Sequence, residues 1–379
     1  VRAAAVAMID VAIVGAGPAG STLAALLAAR GCSVMLLDRD TFPRDKLCGE
    51  FLSYDALPVA DRFGIDLSST PRIARCRIVA RHRTYEFPFP HAARGVSRLM
   101  LDDLLLRAAQ RAGTEVRTGT PVAALSAGHV EAAGEQVRAR VVVGAWGRWG
   151  RFDTQLRRGF VRDRSHRNFG FKRHYRPPSA SDRDLVSLYP FRRGYLGVSA
   201  VEGGRMNICG LVHASRLAGH KGRWDGFVEE IRREEPHLDA LFGAHEADQP
   251  EFLSSDPVIF RARSAVEAGV FMIGDASGIV DPLTGNGMAM AMQSALLAAP
   301  FVLSALSGRR ADAERAYAAR HRQFFAARIS WSRRVAYLLY RPRLLDAALA
   351  AARQSTGPFL LRSTRAGDEQ VARLQQAWQ

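Results

Sequence analysis

The segment Asp10-Val-Ala-Ile-Val-Gly-Ala-Gly-Pro-Ala-Gly20 joins four consecutive apolar residues, Val11 to Val14, to glycines at positions 15, 17 and 20. The apolar run reads as a short buried strand, and the apolar stretch Ser21 to Arg30 reads as the helix that follows it. At this G-x-G-x-x-G spacing Gly15 allows a tight turn, Gly17 lets a pyrophosphate approach the backbone, and Gly20 lets the helix sit close to the strand. Pro18 and Ala19 fall at the helix N-terminus, where free N–H groups and the positive end of the helix dipole favour phosphate. Gly31 ends the helix, and Cys32 to Leu37 forms a second apolar strand with Asp38 at its end, where a carboxylate can accept bonds from ribose hydroxyls. Asp38 and the adjoining Arg39 are therefore candidate contacts to an adenine dinucleotide with a free 2′-hydroxyl, FAD or NAD rather than NADP.

The chain of 379 residues is long enough for two domains or one large interleaved one, and 47% hydrophobic with 24% charged residues is an ordinary globular composition. Its formal net charge of +16 comes almost wholly from scattered arginines, since Lys46, Lys172 and Lys221 are the only lysines. Without a run of like charges or a zinc spacing, no nucleic-acid partner is expected. Most of the excess reads as compositional bias; the alternative is a steering field for an acidic substrate, an acidic carrier protein or peripheral contact with an anionic membrane surface. Cys32, Cys48, Cys76 and Cys209 form no C-x-x-C pair, which argues against a metal site and fits a reducing, cytoplasmic setting. Val1 to Ala7 reads as an extension before a start at Met8 rather than a signal peptide. Gly287 to Leu306 approaches the length of a membrane span, but Gln293, Ser294, Pro300 and its glycine-rich entry mark it as a buried cofactor helix.

Further along, Arg75 to Ala80 and Thr84 to Phe87 read as paired strands closed by Pro88 and Pro90, and Val96 to Ala112 as an amphipathic helix stopped by Gly113. Short strands follow at 115–118, 122–126, 129–132 and 135–139, and then a separate apolar strand, Arg140 to Gly144, returns to the parallel sheet. Alternating strands between Asn168 and Val212, with a Glu202-Gly-Gly turn, form an antiparallel sheet that walls a substrate cavity. His174, Tyr189 and Tyr195 are candidates to line it, against the plainer reading that they are satisfied sheet residues.

Gly274-Asp-Ala-Ser-Gly-Ile-Val-Asp-Pro282-Leu-Thr-Gly285-Asn-Gly287-Met288 supplies the third separated motif, after the glycine loop and the helix bearing Arg98. Together these resemble the para-hydroxybenzoate hydroxylase-like flavoproteins, which include aromatic-ring monooxygenases, flavin halogenases and geranylgeranyl reductases. The resemblance covers about the first 300 residues and implies bound FAD. It implies that Asp275, next to Gly274, bonds a ribityl hydroxyl, that Pro282 turns the chain across the flavin, and that Gly285, Gly287 and Met288 offer N–H groups to its N1/O2 edge. It further implies that Arg98 reaches the phosphates and that Val122 meets the adenine through its backbone. Lys46-Leu-Cys48-Gly49-Glu50-Phe-Leu-Ser53 resembles a C-G-E/D-x-x-S loop that the family places beside the isoalloxazine, where Cys48 either packs or donates a proton, with Gly49 at its side.

Two departures qualify this resemblance. Gly144-Ala-Trp146-Gly147-Arg148 stands where many flavin hydroxylases carry an Asp-Gly pair linked to NADPH handling, so NAD(P)H and a separate reductase are both open as electron donor. A Trp-x-Trp-x-x-Pro halogenase signature is also missing. The expected architecture is an α/β Rossmann-like FAD-binding domain (residues 8–70, 96–152 and 263–308) interleaved with an antiparallel β-sheet substrate domain (71–95 and 153–262), followed by a helical C-terminal region (309–379). The expected activity is that of an FAD-dependent monooxygenase hydroxylating a hydrophobic aromatic or polyketide-type small molecule. Its alternatives are a geranylgeranyl reductase-like reduction of prenyl or polyene double bonds and a non-enzymatic electron-carrying flavoprotein.

Overall fold

The computed structural model describes residues 8–163, 167–177, 183–220, 223–260 and 263–376. The N-terminal extension at 1–7 lies outside the described residues. The opening apolar run becomes β1 (Ile9–Val14), its last four residues buried. A strand buried on both faces needs equally apolar neighbours. Those are β2 (Val34–Leu37), reached through α1 (Pro18–Ala28), and a later strand ending at Gly144, both parallel to β1. Helix α1 begins at Pro18 rather than Ser21, because proline is pre-shaped for the first turn and has no N–H to leave unpaired.

The chain then crosses to a second sheet through β3 (Phe51–Leu52), α2 (Leu57–Arg62), β4 (Arg72–Val79) and β5 (Thr84–Gly95). It returns by α3 (Arg98–Arg111), β6 (Glu115–Arg117), β7 (Val122–Leu125), β8 (His129–Ala132), β9 (Glu135–Gly144) and α4 (Arg151–Gln155). Strands β10 (Arg167–Arg176), β11 (Leu185–Phe191), β12 (Gly194–Ala200) and β13 (Met206–His213) extend the second sheet, and α5 (Trp224–Glu234) and α6 (Pro236–Gly243) cover its outer face. Short pieces β14 (Glu246–Ala247), β15 (Leu253–Ser254) and β16 (Val258–Ile259) run along β10, and β17 (Val266–Glu267) and β18 (Val270–Met272) rejoin the first sheet. Helices α7 (Gly287–Leu306), α8 (Arg310–Leu339), α9 (Pro342–Ala350), α10 (Thr356–Thr364) and α11 (Asp368–Gln376) complete the chain.

The first sheet has the order β17-β18-β9-β1-β2-β6, and the second β14-β10-β13-β12-β11-β4-β5-β3. Two sequence expectations change. Pro88 and Pro90 do not close a strand: β5 runs through them to Gly95, Pro88 standing opposite Arg75 and Pro90 lying in residues 89–92, which the register shift between Ile73 and Arg75 leaves unpaired. The strands at 135–139 and 140–144 are one, β9, whose outer half pairs antiparallel with β8 and whose inner half pairs parallel with β1. Among the described residues α7 alone is long and apolar enough to cross a membrane, yet it packs between α1 and α8 with both Gln293 and Ser294 buried.

Candidate cofactor and catalytic site

The loop glycines have separate physical reasons. Gly15 has φ +113°, and a Cβ there would stand 2.3 Å from Ala145 O; at Gly20 it would stand 1.8 Å from Gly15 O. Gly17 is different, because a Cβ there would meet only an Arg98 guanidinium nitrogen, at 3.7 Å. Turn and packing therefore account for Gly15 and Gly20, while the space over Gly17 is a cradle that a side chain would fill. Asp38 is nearly buried and braces this loop: Oδ2 accepts the Ala16 N–H at 2.7 Å and Oδ1 the Asp40 N–H at 3.0 Å. Arg39 is exposed beside Asp40. Thr120 N–H donates to Asp38 O at 2.8 Å, which brings Val122, the first residue of β7, to the Asp38 end of the sheet.

The second motif closes on the first. A Cβ at Gly274 would lie 2.9 Å from Ala19 Cβ, so this turn and the start of α1 touch. The Asp275 carboxyl is half-buried with no hydrogen-bond partner among the described residues; desolvation raises its pKa, and Arg148, Arg263 and Arg98 oppose that rise. It is an acceptor still open to a hydroxyl. Asp281 caps the turn at Pro282, accepting the Leu283 N–H at 3.1 Å and the Tyr340 hydroxyl at 3.0 Å, and burial pushes it up to about 6. Gly285 has φ +64° and abuts the Phe51 ring, Asn286 donates to Thr364 O at 2.6 Å, and the buried Met288 packs into the core. Gly287, the first residue of α7, has nothing within 4 Å of a Cβ position, and neither does Gly49.

Arg98 joins the two halves. It lies against Gly17, is gripped by Asp102 through Nε–Oδ1 and Nη2–Oδ2 contacts of 2.7 Å each, and interacts electrostatically with Cys48. Burial opposes its charge, but Asp102 and the Cys48 contact hold its pKa above the usual value. The Cys48 thiol accepts the Glu50 N–H at 3.4 Å, and Asn207 donates to Cys48 O at 2.9 Å.

Sequence reasoning missed what lies beneath this loop. Glu50 is fully buried at φ +55°, with Oε1 2.6 Å from Lys172 Nζ and Oε2 2.7 Å from His174 Nε2; Oε1 also accepts the Arg98 N–H at 3.1 Å. Asp45 adds a second carboxylate 2.5 Å from Lys172. Burial works against both charges, yet His174 and Lys172 hold the Glu50 carboxyl below its usual range and Glu50 and Asp45 hold the Lys172 ammonium above its own. A signal was available: Lys172 and His174 alternate along β10 and thus share a face, with Asn207 opposite His174 on β13. Arg148 was also missed as a site residue; it reaches Leu47 O and opposes the Asp275 shift. Tyr195 shares the inner face and stacks on Tyr340 at 6.2 Å, whereas Tyr189 lies on the outer face against His237. A cleft of about 300 Å³ between 69–72, 183–184 and 201–204 is lined by none of these groups.

A profile of the FAD binding domain family matches residues 8–331. The chain belongs to that family. It is an FAD-dependent oxidoreductase with the fold of the para-hydroxybenzoate hydroxylase-like flavoproteins. It is 29% identical over 378 residues to a menaquinone reductase of Mycolicibacterium smegmatis, covering 93% of this chain and 88% of that one. It is 28% identical over 329 residues to a tryptophan 2-halogenase of Chondromyces crocatus, covering 78% and 61%. A geranylgeranyl bacteriochlorophyll reductase-like protein from Thermoplasma acidophilum shares the fold with a TM-score of 0.76 at 20% identity, over 97% of this chain and 95% of that one. The open space at Gly17 and Gly287 and the unpartnered Asp275 carboxyl fit FAD: glycine backbone for the pyrophosphate and the flavin edge, and an acceptor for a ribityl hydroxyl.

Proposed function

We propose that this family member reduces a carbon–carbon double bond of a hydrophobic prenyl or quinone-type small molecule. The observation that carries this reading is the Cys48 thiol on a loop anchored by Glu50 and Asn207, in the electrostatic field of Arg98. Reduced FAD, when bound, supplies the hydride for one carbon of the double bond. The other carbon needs a proton, and this reading assigns that proton to Cys48. Arg98 then balances the negative charge left on the loop. The Glu50–Lys172–His174 cluster keeps the loop fixed, so that the donor does not have to be ordered during the reaction. Similarity along nearly the whole chain to a menaquinone reductase supports the same choice.

Oxygen transfer to an aromatic substrate is the second reading, favoured by the stacked Tyr195–Tyr340 pair on the apolar part of the inner face. Product analysis separates the two. FAD-loaded protein is reduced chemically without air and given a menaquinone or a geranylgeranyl lipid, with and without oxygen. A product that has gained two hydrogens in the absence of air supports reduction; a product that has gained one oxygen atom, formed only in air, overturns it. Cys48→Ser should lower the rate of double-bond reduction by about 10²–10⁴-fold while leaving FAD affinity within about twofold. We further read a separate reductase as electron donor, since Gly144-Ala-Trp146-Gly147-Arg148 replaces the Asp-Gly pair and the Trp146 ring is packed on Gly144. Flavin reduction by NAD(P)H alone, at a rate matching turnover, would overturn that part.

A further inference from the structure

Four of the six large apolar side chains exposed among the described residues, Tyr337, Leu338, Leu344 and Phe359, fall in one short stretch of the C-terminal helices. Exposed arginines surround them: Arg333, Arg334, Arg341, Arg343, Arg353 and Arg362. Asp346 is the only acidic residue between 333 and 362, and no carboxylate pairs with these arginines among the described residues. The buried face of α8 carries Arg328, Ser332, Ala336 and Leu339, so helical periodicity places Trp331, Arg334, Tyr337, Leu338 and then Arg341 on the outward side. Contacts bind this side into one surface. Arg334 lies over the Trp331 ring at 4.9 Å, Trp331 meets Phe359 of α10 edge-on at 5.2 Å, and Arg341 covers Tyr337 at 3.6 Å.

We propose that this face docks on an anionic lipid bilayer. Apolar and aromatic side chains enter the headgroup boundary while arginines meet lipid phosphates, the arrangement by which interfacial helices bind without spanning. A second copy of the chain is a poorer fit, because self-pairing about a two-fold axis would set arginine against arginine. The location has a consequence for the site. At the end of α8, Tyr340 turns inward to bond Asp281 and stack on Tyr195, and Leu339 and Leu345 pack in the apolar cluster on the inner sheet face. The docking surface is thus the outside of the wall whose inside borders the cofactor motif. A lipid-soluble substrate entering from the bilayer would cross that wall, whichever of the two reactions follows.

The test is co-sedimentation of the full FAD-loaded chain with vesicles of phosphatidylcholine alone or with phosphatidylglycerol added. Binding is expected only to the anionic vesicles and should weaken as salt rises. The triple variant Arg334→Gln/Arg341→Gln/Arg343→Gln should lower the partition coefficient about a hundredfold, at about fivefold for each arginine. Leu338→Ser/Leu344→Ser should weaken binding at every salt concentration, with FAD content and thermal midpoint unchanged as the check that it folds. Failure to sediment with anionic vesicles at low salt overturns the proposal, and so does sedimentation of both variants like the parent. Two further results would replace it: a lipid-free dimer that Leu338→Ser/Leu344→Ser dissolves, assigning the face to a second copy, or retention on immobilised polyglutamate without vesicle binding, assigning it to an acidic protein.

Discussion

Gly17 and Gly20 belong to one turn, yet a methyl group would meet open space beside Arg98 at the first and a carbonyl oxygen at the second. Gly20→Ala is therefore expected to lower apo-protein stability by about 3 kcal/mol or more, as overpacking against backbone does. Gly17→Ala should leave apo stability within about 0.5 kcal/mol but weaken FAD at least tenfold, about 1.4 kcal/mol. Urea unfolding of the apo forms and flavin fluorescence titration measure the two quantities; equal effects on both would remove the distinction. Asp281 and His321 make a second contrast. Burial raises the Asp281 carboxyl to about 6, so the folded state keeps a proton that the unfolded chain has released, and stability falls by about 3 kcal/mol as pH rises from about 4 to 6. Burial lowers His321, whose Nε2 lies 2.9 Å from Ser277 Oγ, to about 4, so stability falls by a similar amount as pH drops from 6.5 to 4. In the same window the two oppose each other. Asp281→Asn should make acid destabilisation steeper than in the parent, and His321→Gln should make stability fall as pH rises. Thermal midpoints of the apo proteins across this range decide it, and profiles parallel to the parent would contradict both assignments.

At the scale of elements, β10 and the Cys48 loop are joined by charge rather than by a ladder of backbone bonds. Lys172, His174 and Glu50 are buried, and a buried ion pair that loses one member leaves an unpaired charge. Lys172→Met should cost about 3–5 kcal/mol. Lys172→Met/Glu50→Gln should cost less than the two single changes added, because each single change already abolishes the same attraction. A double-mutant cycle by urea denaturation reads this, and simple additivity would show the groups to be uncoupled. The inner face of the second sheet is graded accordingly. Lys172, His174 and Asn207 crowd its β10–β13 end against Cys48, while Cys76, Ile78, Leu188 and Tyr195 make the other end apolar. One sheet thus offers a fixed polar anchor and an apolar surface side by side.

Across the whole molecule, the two sheets are threaded alternately by one chain, and the C-terminal helices lock them together. Arg365 donates to Ser53 Oγ at 2.9 Å and to Thr284 O at 3.0 Å, Ala366 N–H donates to Asp55 Oδ2 at 3.1 Å, and Arg328 donates to Gln293 of α7 at 2.8 Å. No cut in sequence separates the sheets, so unfolding should be a single transition in which flavin release and loss of far-ultraviolet ellipticity coincide. Added FAD should raise that midpoint by mass action. Two resolved transitions would mean that the second sheet, mixed because β4 and β11 run parallel, is stable alone.

Local patterns in the sequence sufficed for the first sheet, the glycine turn, the long apolar helix and the family, because each depends on residues close in the chain whose spacing has few physical uses. The open cradle at Gly17 is of this kind. What lies between distant segments was not legible in the same way. Glu50 is separated in sequence from Lys172 and His174, and no periodicity in either segment specifies that they will meet. Only the folded chain brings them together, and it decides the matter because a buried carboxylate must find its counter-charges wherever the backbone has delivered them. The same holds for β5: proline signals a strand end locally, but the register shift opposite β4 leaves 89–92, with Pro90, unpaired and so removes there the penalty on which the signal rests.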